Sequence, residues 1–319
     1  MNSTDQDIWP PGTFGPDGKV IKSPFYEYLV HKDAALAFVV LFGVTTFVHV
    51  VQAIYFRMWW LFPTVVLAGI GEVLGWSGRL WSSYSPLLQD PYLMQIVATI
   101  LAPTPYVAAL FIIFAGITRQ LGVQYSRLSP LWYSRIFLTA DIVALVVQAA
   151  GGGLAATAST QSGSNLGGNI MLGGIVFQLD GQTAVSMLAF ASVAFEYYIR
   201  HTSGRSIRLA HGSRRAEING RMNLLLCSLV FIVTCILIRS VYRTAELADG
   251  WNGRIITTEW PFNVFDGAMI LLAMYTMNLF HPGYLMKSLG RRDDDYVGET
   301  ITVDEIRGKK GLPSSTPGL

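Results

Sequence analysis

Long apolar stretches alternate with short polar connections along this chain, and seven of them reach the length of a membrane span. A bilayer core of about 30 Å takes about 20 predominantly apolar residues of helix. Runs of that kind lie at 34–56, 59–81, 93–117, 136–157, 170–199, 222–244 and 260–281. Glu72 and Arg79 interrupt the second, but "MWWLF" and "WSGRLW" frame it with the aromatic residues that favour membrane interfaces. No repeat of fixed period is visible. The pattern predicts an all-α, polytopic membrane protein built as a seven-transmembrane helix bundle.

Composition sharpens this reading. The chain has 319 residues, 51% hydrophobic and 14% charged, with a mean hydropathy of +0.41. Soluble domains carry about 25% charged residues, so most helix faces here do not meet water. A net charge of +2 without a basic, aromatic-interleaved stripe excludes a nucleic-acid partner. Cys227 and Cys235 lie roughly 12 Å apart along one helix, beyond disulfide reach.

Basic residues orient the bundle. The connections after spans one, three and five hold ten arginines, from Arg57 to Arg221, whereas those after spans two, four and six hold only Arg254. By the positive-inside rule the N-terminus lies outside and the C-terminus in the cytosol. Three segments follow: a polar extracellular segment at 1–32, a transmembrane domain at 33–285 and a disordered cytosolic tail at 286–319. The first segment lacks the build of a cleavable signal peptide, leaving span one as the insertion signal.

Ionisable groups inside spans are costly and face the bundle interior, a partner or a pathway. Glu72 and Arg79 lie in the outer half of span two. Arg239, Arg243 and Glu246 follow at i, i+4 and i+7 on one face of span six. Glu259 and Asp266, seven apart, begin span seven, and Gln178 and Asp180 lie near the middle of span five. Spans two, five, six and seven could therefore form a polar vestibule open to the outer side. The same charges would also serve as a structural network, with Arg239–Asp266 and Arg243–Glu259 as its expected pairs. In span four, Asp141 and Gln148 share a face ahead of Gly151, Gly152 and Gly153, which permit close packing or local unwinding. Pro103 and Pro105 free carbonyls and bend span three, as in the broken helices of transporters.

Other chemistries lack their residues. His49 and His281 stand at opposite ends of the chain, a poor basis for a three-ligand metal centre. There is no phosphate-binding GxxxxGK loop, no lysine in span seven for a Schiff base, and no base partner for Ser186. No enzyme activity and no cofactor are expected. A transporter would then need proton or ion coupling, with Glu72, Asp141 or Asp180 as relays. A seven-helix receptor or lipid sensor is the alternative, its basic loop at 200–221 suiting a cytosolic partner.

These motifs in this order resemble the fungal lipid-translocating exporter family across about residues 30–285. The elements are "GEVLGWSGR", "LAP" at 101–103, Asp141, Gln148 and the triple glycine, Gly174 and Gln178 in "GGIVFQ", then Arg239, Arg243, Glu246, Gly250, Gly253, Glu259, Asp266 and "HPG" at 281–283. Trp76 stands where the family usually has Tyr. The resemblance implies translocation of sphingoid long-chain bases, sterol-like amines or toxic amphiphilic drugs, a part in lipid asymmetry and stress resistance, and a place in the plasma membrane or another endomembrane. Membrane lipids and an amphiphilic small molecule are the expected partners, and homodimer formation stays open.

Overall fold

The computed structural model of the chain describes residues 12–121, 220–249 and 253–285, with shorter runs between 139 and 177, chiefly 146–154 and 166–174. Among the described residues the regular structure is helical, apart from one isolated antiparallel bridge between Phe14 and Val20. Five helical runs are long and apolar enough to cross a membrane: Lys32–Tyr55, Trp59–Tyr84, Gln89–Phe114, Asn223–Glu246 and Glu259–Leu285. They match the first, second, third, sixth and seventh expected spans, and the chain is a multi-pass membrane protein. Nearly half of span four and most of span five fall outside the described residues, although 146–154 and 166–174 are helical. Residues 1–11 and 286–319 also lie outside them.

Helix α1 is Lys32–Tyr55. The second span opens with a 3-10 turn, Trp59–Leu61, and a π-helical stretch, Phe62–Val66, before α2, Leu67–Tyr84. The third is divided into α3, Gln89–Leu101, and α4, Pro103–Leu121, so the expected break at the prolines is present. Helix α5 is Gly220–Ala248. The last span runs from the turn Glu259–Pro261 through a π-helical stretch, Phe262–Ala268, into α6, Met269–Leu279.

Helix α1 shows why water is not the solvent of this bundle. Val40, Val44, Phe47, Val51 and Ile54 are exposed, whereas Thr45, Thr46 and His49 are buried. Lipid offers apolar side chains no reason to turn inward, while polar ones find partners only inside. Packing then depends on small residues. Gly71, Gly75 and Gly78 line the face of α2 that meets α3. A Cβ at Gly71 would come within 2.8 Å of the Ala102 Cβ, and one at Gly78 within 2.9 Å of the Gln95 nitrogen. On another face Gly69 meets Thr46 and Met274, and the Trp76 indole stacks on Phe38 with centroids 4.0 Å apart. Gly151 sits in helix against the backbone of Gly167 and Met171, which favours close packing over unwinding there.

Candidate functional site

Pro103 shapes the site first. It has no N–H, so the Thr99 carbonyl four residues earlier loses its helical donor. Arg239 of α5 replaces that donor, with Nη2 at 2.6 Å from the Thr99 oxygen. The Thr99 hydroxyl bonds back to the Gln95 carbonyl at 2.9 Å and accepts from Arg243 Nη2 at 3.0 Å. A helix break thereby becomes an arginine-binding notch.

The expected register on α5 brings Arg239, Arg243 and Glu246 to one buried face. Asp266 of the π-helical stretch accepts from Arg243 Nε at 2.6 Å and Nη2 at 2.8 Å, a two-pronged pair, and its Oδ1 also lies 2.9 Å from Arg239 Nε. Arg243 Nη1 donates to Glu246 Oε2 at 2.9 Å, and the Tyr242 hydroxyl donates to Glu246 Oε1 at 3.0 Å. The expected Arg239–Asp266 pair is present. The expected Arg243–Glu259 pair is not, because Asp266, Glu246 and Thr99 already occupy the Arg243 guanidinium. A π-helical stretch is a common device at functional sites. Here Gly267 lets the stretch lie flush on Trp76, where a Cβ would collide with the indole.

Glu259 instead accepts from Arg79 Nη2 at 3.2 Å. Arg79 is fully buried, reaches Gln95 Oε1 at 3.3 Å and Tyr28 at 3.0 Å, and lies 4.6 Å from the Phe262 ring centroid. The segment before α1 closes over this end of the core. Ser23 donates to the Pro86 carbonyl at 2.8 Å, the Tyr26 hydroxyl donates to Gln95 Oε1 at 2.6 Å, and the His31 ring pairs with Glu259. Burial pushes the Tyr26 hydroxyl up to about 12 and also raises that of Tyr28, against the opposing pull of Arg79. The exposed His31 is raised by its hydrogen bond to Glu259 and that carboxylate's charge.

Where spans two, six and seven meet, the ionic core lies under the aromatic segment, with a cavity of about 30 Å³ between Tyr26, Tyr28, Arg79, Tyr92, Arg243 and Glu246; the part of the expected vestibule in span five lies outside the described residues. That volume admits about two water molecules. Beside the His31–Glu259 pair lies an open cleft of about 560 Å³ that also touches Lys32, Asp33, Trp260 and Asn263. Three core carboxylates engage arginine, and Glu72 does not. Its side chain is buried, takes part in no ion pair among the described residues, and leaves Oε1 without a hydrogen bond. Two donors on the same stretch of α2, Trp76 Nε1 and Arg79 Nε, are also left over.

Of the expected site residues, Glu72, Arg79, Arg239, Arg243, Glu246, Glu259 and Asp266 thus converge. Gln148 packs against Gly174, and Asp141, Gln178 and Asp180 lie outside the described residues. Sequence reasoning missed Tyr26, Tyr28, His31, Gln95 and Thr99. The aromatic cluster "FYEY" just before span one was a signal for the first two. The spacing of Gln95, Thr99 and Pro103 at four-residue intervals was one for the last two.

Residues 65–289 match the family described as RTA1 like protein. The chain is 32% identical over 302 residues to "Sphingoid long-chain base transporter RSB1" of Saccharomyces cerevisiae, covering 85% of this chain and 78% of that protein. It is 26% identical over 295 residues to "Protoporphyrin uptake protein 1" of the same organism, covering 80% and 90%. "Protein RTM1", also from Saccharomyces cerevisiae, is 30% identical over 209 residues, covering 64% and 62%. No solved structure matches. The resemblance carried by the motifs is confirmed at the level of the family: the chain belongs to the RTA1-like proteins of fungi.

Proposed function

We propose that the chain translocates lipid-like amphiphiles across its membrane, with sphingoid long-chain bases and other cationic amphiphiles as the substrate class. The head group passes through the ionic core while the tail stays in lipid. The observation that carries this reading is Glu72, which forms no ion pair among the described residues and whose Oε1 accepts no hydrogen bond from them, on the same stretch of α2 as two donors likewise left over among them, Trp76 Nε1 and Arg79 Nε. A carboxylate suits an ammonium, and indole and guanidinium N–H groups suit a hydroxyl beside it. A resident pair would have filled these positions if the network were only a fastener. The cleft beside His31 and Glu259 would be the first docking place for the head. The name of the RSB1 relative supports the substrate class.

In this reading Glu72, Arg79, Arg239, Arg243, Glu246, Glu259 and Asp266 line the path, with Asp141, Gln148, Gln178 and Asp180 continuing it in spans four and five. The N-terminal segment faces outward and the tail the cytosol, in the plasma membrane. The chain performs no chemistry on the lipid. Reconstitution tests this. A fluorescent sphingoid base should change leaflets in liposomes that contain the purified protein, and Glu72→Gln should slow that movement by about tenfold, roughly 1.4 kcal/mol of barrier. Saturable binding without movement would select the receptor or sensor instead.

A further inference from the structure

At the far end of α1, about 35 Å along its axis from Lys32, the helix ends on an arginine. The Met58 N–H bonds to the Ala53 carbonyl at 2.9 Å, and the Arg57 N–H to the Ile54 carbonyl at 3.1 Å. This pair of bonds is the Schellman closure of a helix, and the left-handed residue inside it is usually glycine. Here that residue is Arg57, with a φ of 56°. The conformation costs an arginine more than a glycine, because a Cβ crowds the backbone. Glu27 is the other non-glycine residue with a positive φ among the described residues, and its carboxylate pairs with Lys22 at 2.9 Å. Arg57 has no such partner. Its side chain is exposed and makes no hydrogen bond or ion pair among the described residues. A helix C-terminus favours a cation, but the last helical turn could hold one without strain.

A second arginine stands beside the same turn. A Cβ at Gly283 would lie 2.7 Å from Phe56 Cγ and 2.8 Å from Met58 Sδ, so the residues on either side of Arg57 pack against Gly283. The Arg221 guanidinium, at the start of α5, lies 5.7 Å from the ring centroid of the next residue, Tyr284. Arg221 is also exposed, and its side chain makes no hydrogen bond or ion pair among the described residues. One short segment, 283–284, thus touches the turn that carries Arg57 and Arg221 itself.

Carboxylates are missing from this end. Among the described residues no aspartate or glutamate occurs at 47–67, 220–231 or 274–285. Tyr55, Trp59 and Tyr284 are exposed around the two arginines, and aromatic rings of this kind favour the membrane–water interface. At that depth the anions within reach are phospholipid head groups.

We propose that Arg57 and Arg221 together hold the head group of an anionic phospholipid in the leaflet at this end of the bundle. Guanidinium groups grip phosphate oxygens with paired N–H bonds, and arginines next to a membrane span draw anionic lipid. With no carboxylate at hand to receive an ammonium, the matching head group carries none. A phosphomonoester, with nearly two negative charges, matches two guanidinium groups, so phosphatidic acid is the preferred lipid. The site lies at the opposite end of the bundle from the ionic core, and it does not rest on translocation.

The purified full chain in nanodiscs tests this, in phosphatidylcholine alone or with phosphatidic acid in both leaflets. Phenylglyoxal, which labels free guanidinium groups, should modify Arg57 and Arg221 several-fold more slowly when phosphatidic acid is present. Arg254, exposed before the last span, should keep its rate. Equal slowing of all three would be the effect of surface charge alone and would overturn the site. Inorganic phosphate should protect neither arginine, and equal protection by it would replace the lipid with a free anion. Phosphatidylserine, whose head adds an ammonium, should protect less, and equal protection would overturn the head-group preference. Arg57→Gly gives a second readout. It should melt no lower than the wild type in phosphatidylcholine, since glycine suits the turn, yet lose most of the rise in melting temperature that phosphatidic acid gives the wild type. A rise kept in full by both Arg57→Gly and Arg221→Gln overturns the proposal, as does a wild type that phosphatidic acid neither protects nor stabilises.

Discussion

Arg243 and Asp266 share two hydrogen bonds, 2.6 and 2.8 Å, with both side chains buried. Removing one member of such a pair leaves an uncompensated charge, at a cost of about 3–5 kcal/mol. Asp266→Ala should therefore lower thermal stability in detergent sharply, because Arg239 loses its partner as well. Arg239→Ala should act in the same direction. Arg254→Ala, in the connection before the last span, should stay within about 0.5 kcal/mol, as surface changes usually do. Equal and mild losses for all three would contradict a working network. At this scale the spacing on α5 was legible, because 3.6-residue periodicity places Arg239, Arg243 and Glu246 together. Partner choice was not legible. Glu246, Glu259 and Asp266 all lay within plausible reach of Arg243, and a π-helical turn that spacing does not announce helps set that Asp266 joins Glu246 there and Glu259 does not.

The five described spans were legible as elements because lipid imposes length and apolarity on each. The division of the third span was legible too, since proline cannot donate to Thr99. What that freed carbonyl would bind depended on a helix more than a hundred residues later. Close helix contact supplies a prediction at this scale. Gly75 abuts Thr99 on α3, whereas Gly153 has nothing within 4 Å where a Cβ would point. Gly75→Val should overpack the α2–α3 contact and cost about 1–3 kcal/mol. Gly153→Ala should be tolerated or gain up to about 1 kcal/mol of helix propensity. Melting curves of the two variants would separate a packing glycine from a merely permissive one.

Across the whole molecule, the segment before α1 acts as a lid over the ionic core, and hydropathy could not foretell it because the segment is polar and lies outside the spans. Its pH dependence has a definite sign. His31 is raised by Glu259, so its contribution to holding the lid is complete below its ordinary value of 6.5 and is lost as pH climbs through the raised value. Protection of the amides of residues 23–31 against hydrogen exchange, relative to their unfolded rates at each pH, should fall over that rise, and His31→Gln should remove the step. Protection unchanged over the same range would detach His31 from lid closure.

The Arg79–Glu259 contact spans 180 residues of sequence. A ribosome working at 5–20 residues per second needs roughly 10–40 s to make that length. Throughout that interval span two is in or near the bilayer with a guanidinium whose carboxylate has not yet been made. Until the final span arrives Arg79 has the Tyr28 hydroxyl, the Gln95 amide oxygen and the Tyr26 and Trp76 rings to lean on, and none of these is charged. A chain cut short before residue 259 would keep that charge exposed to the quality-control machinery of the membrane that makes it.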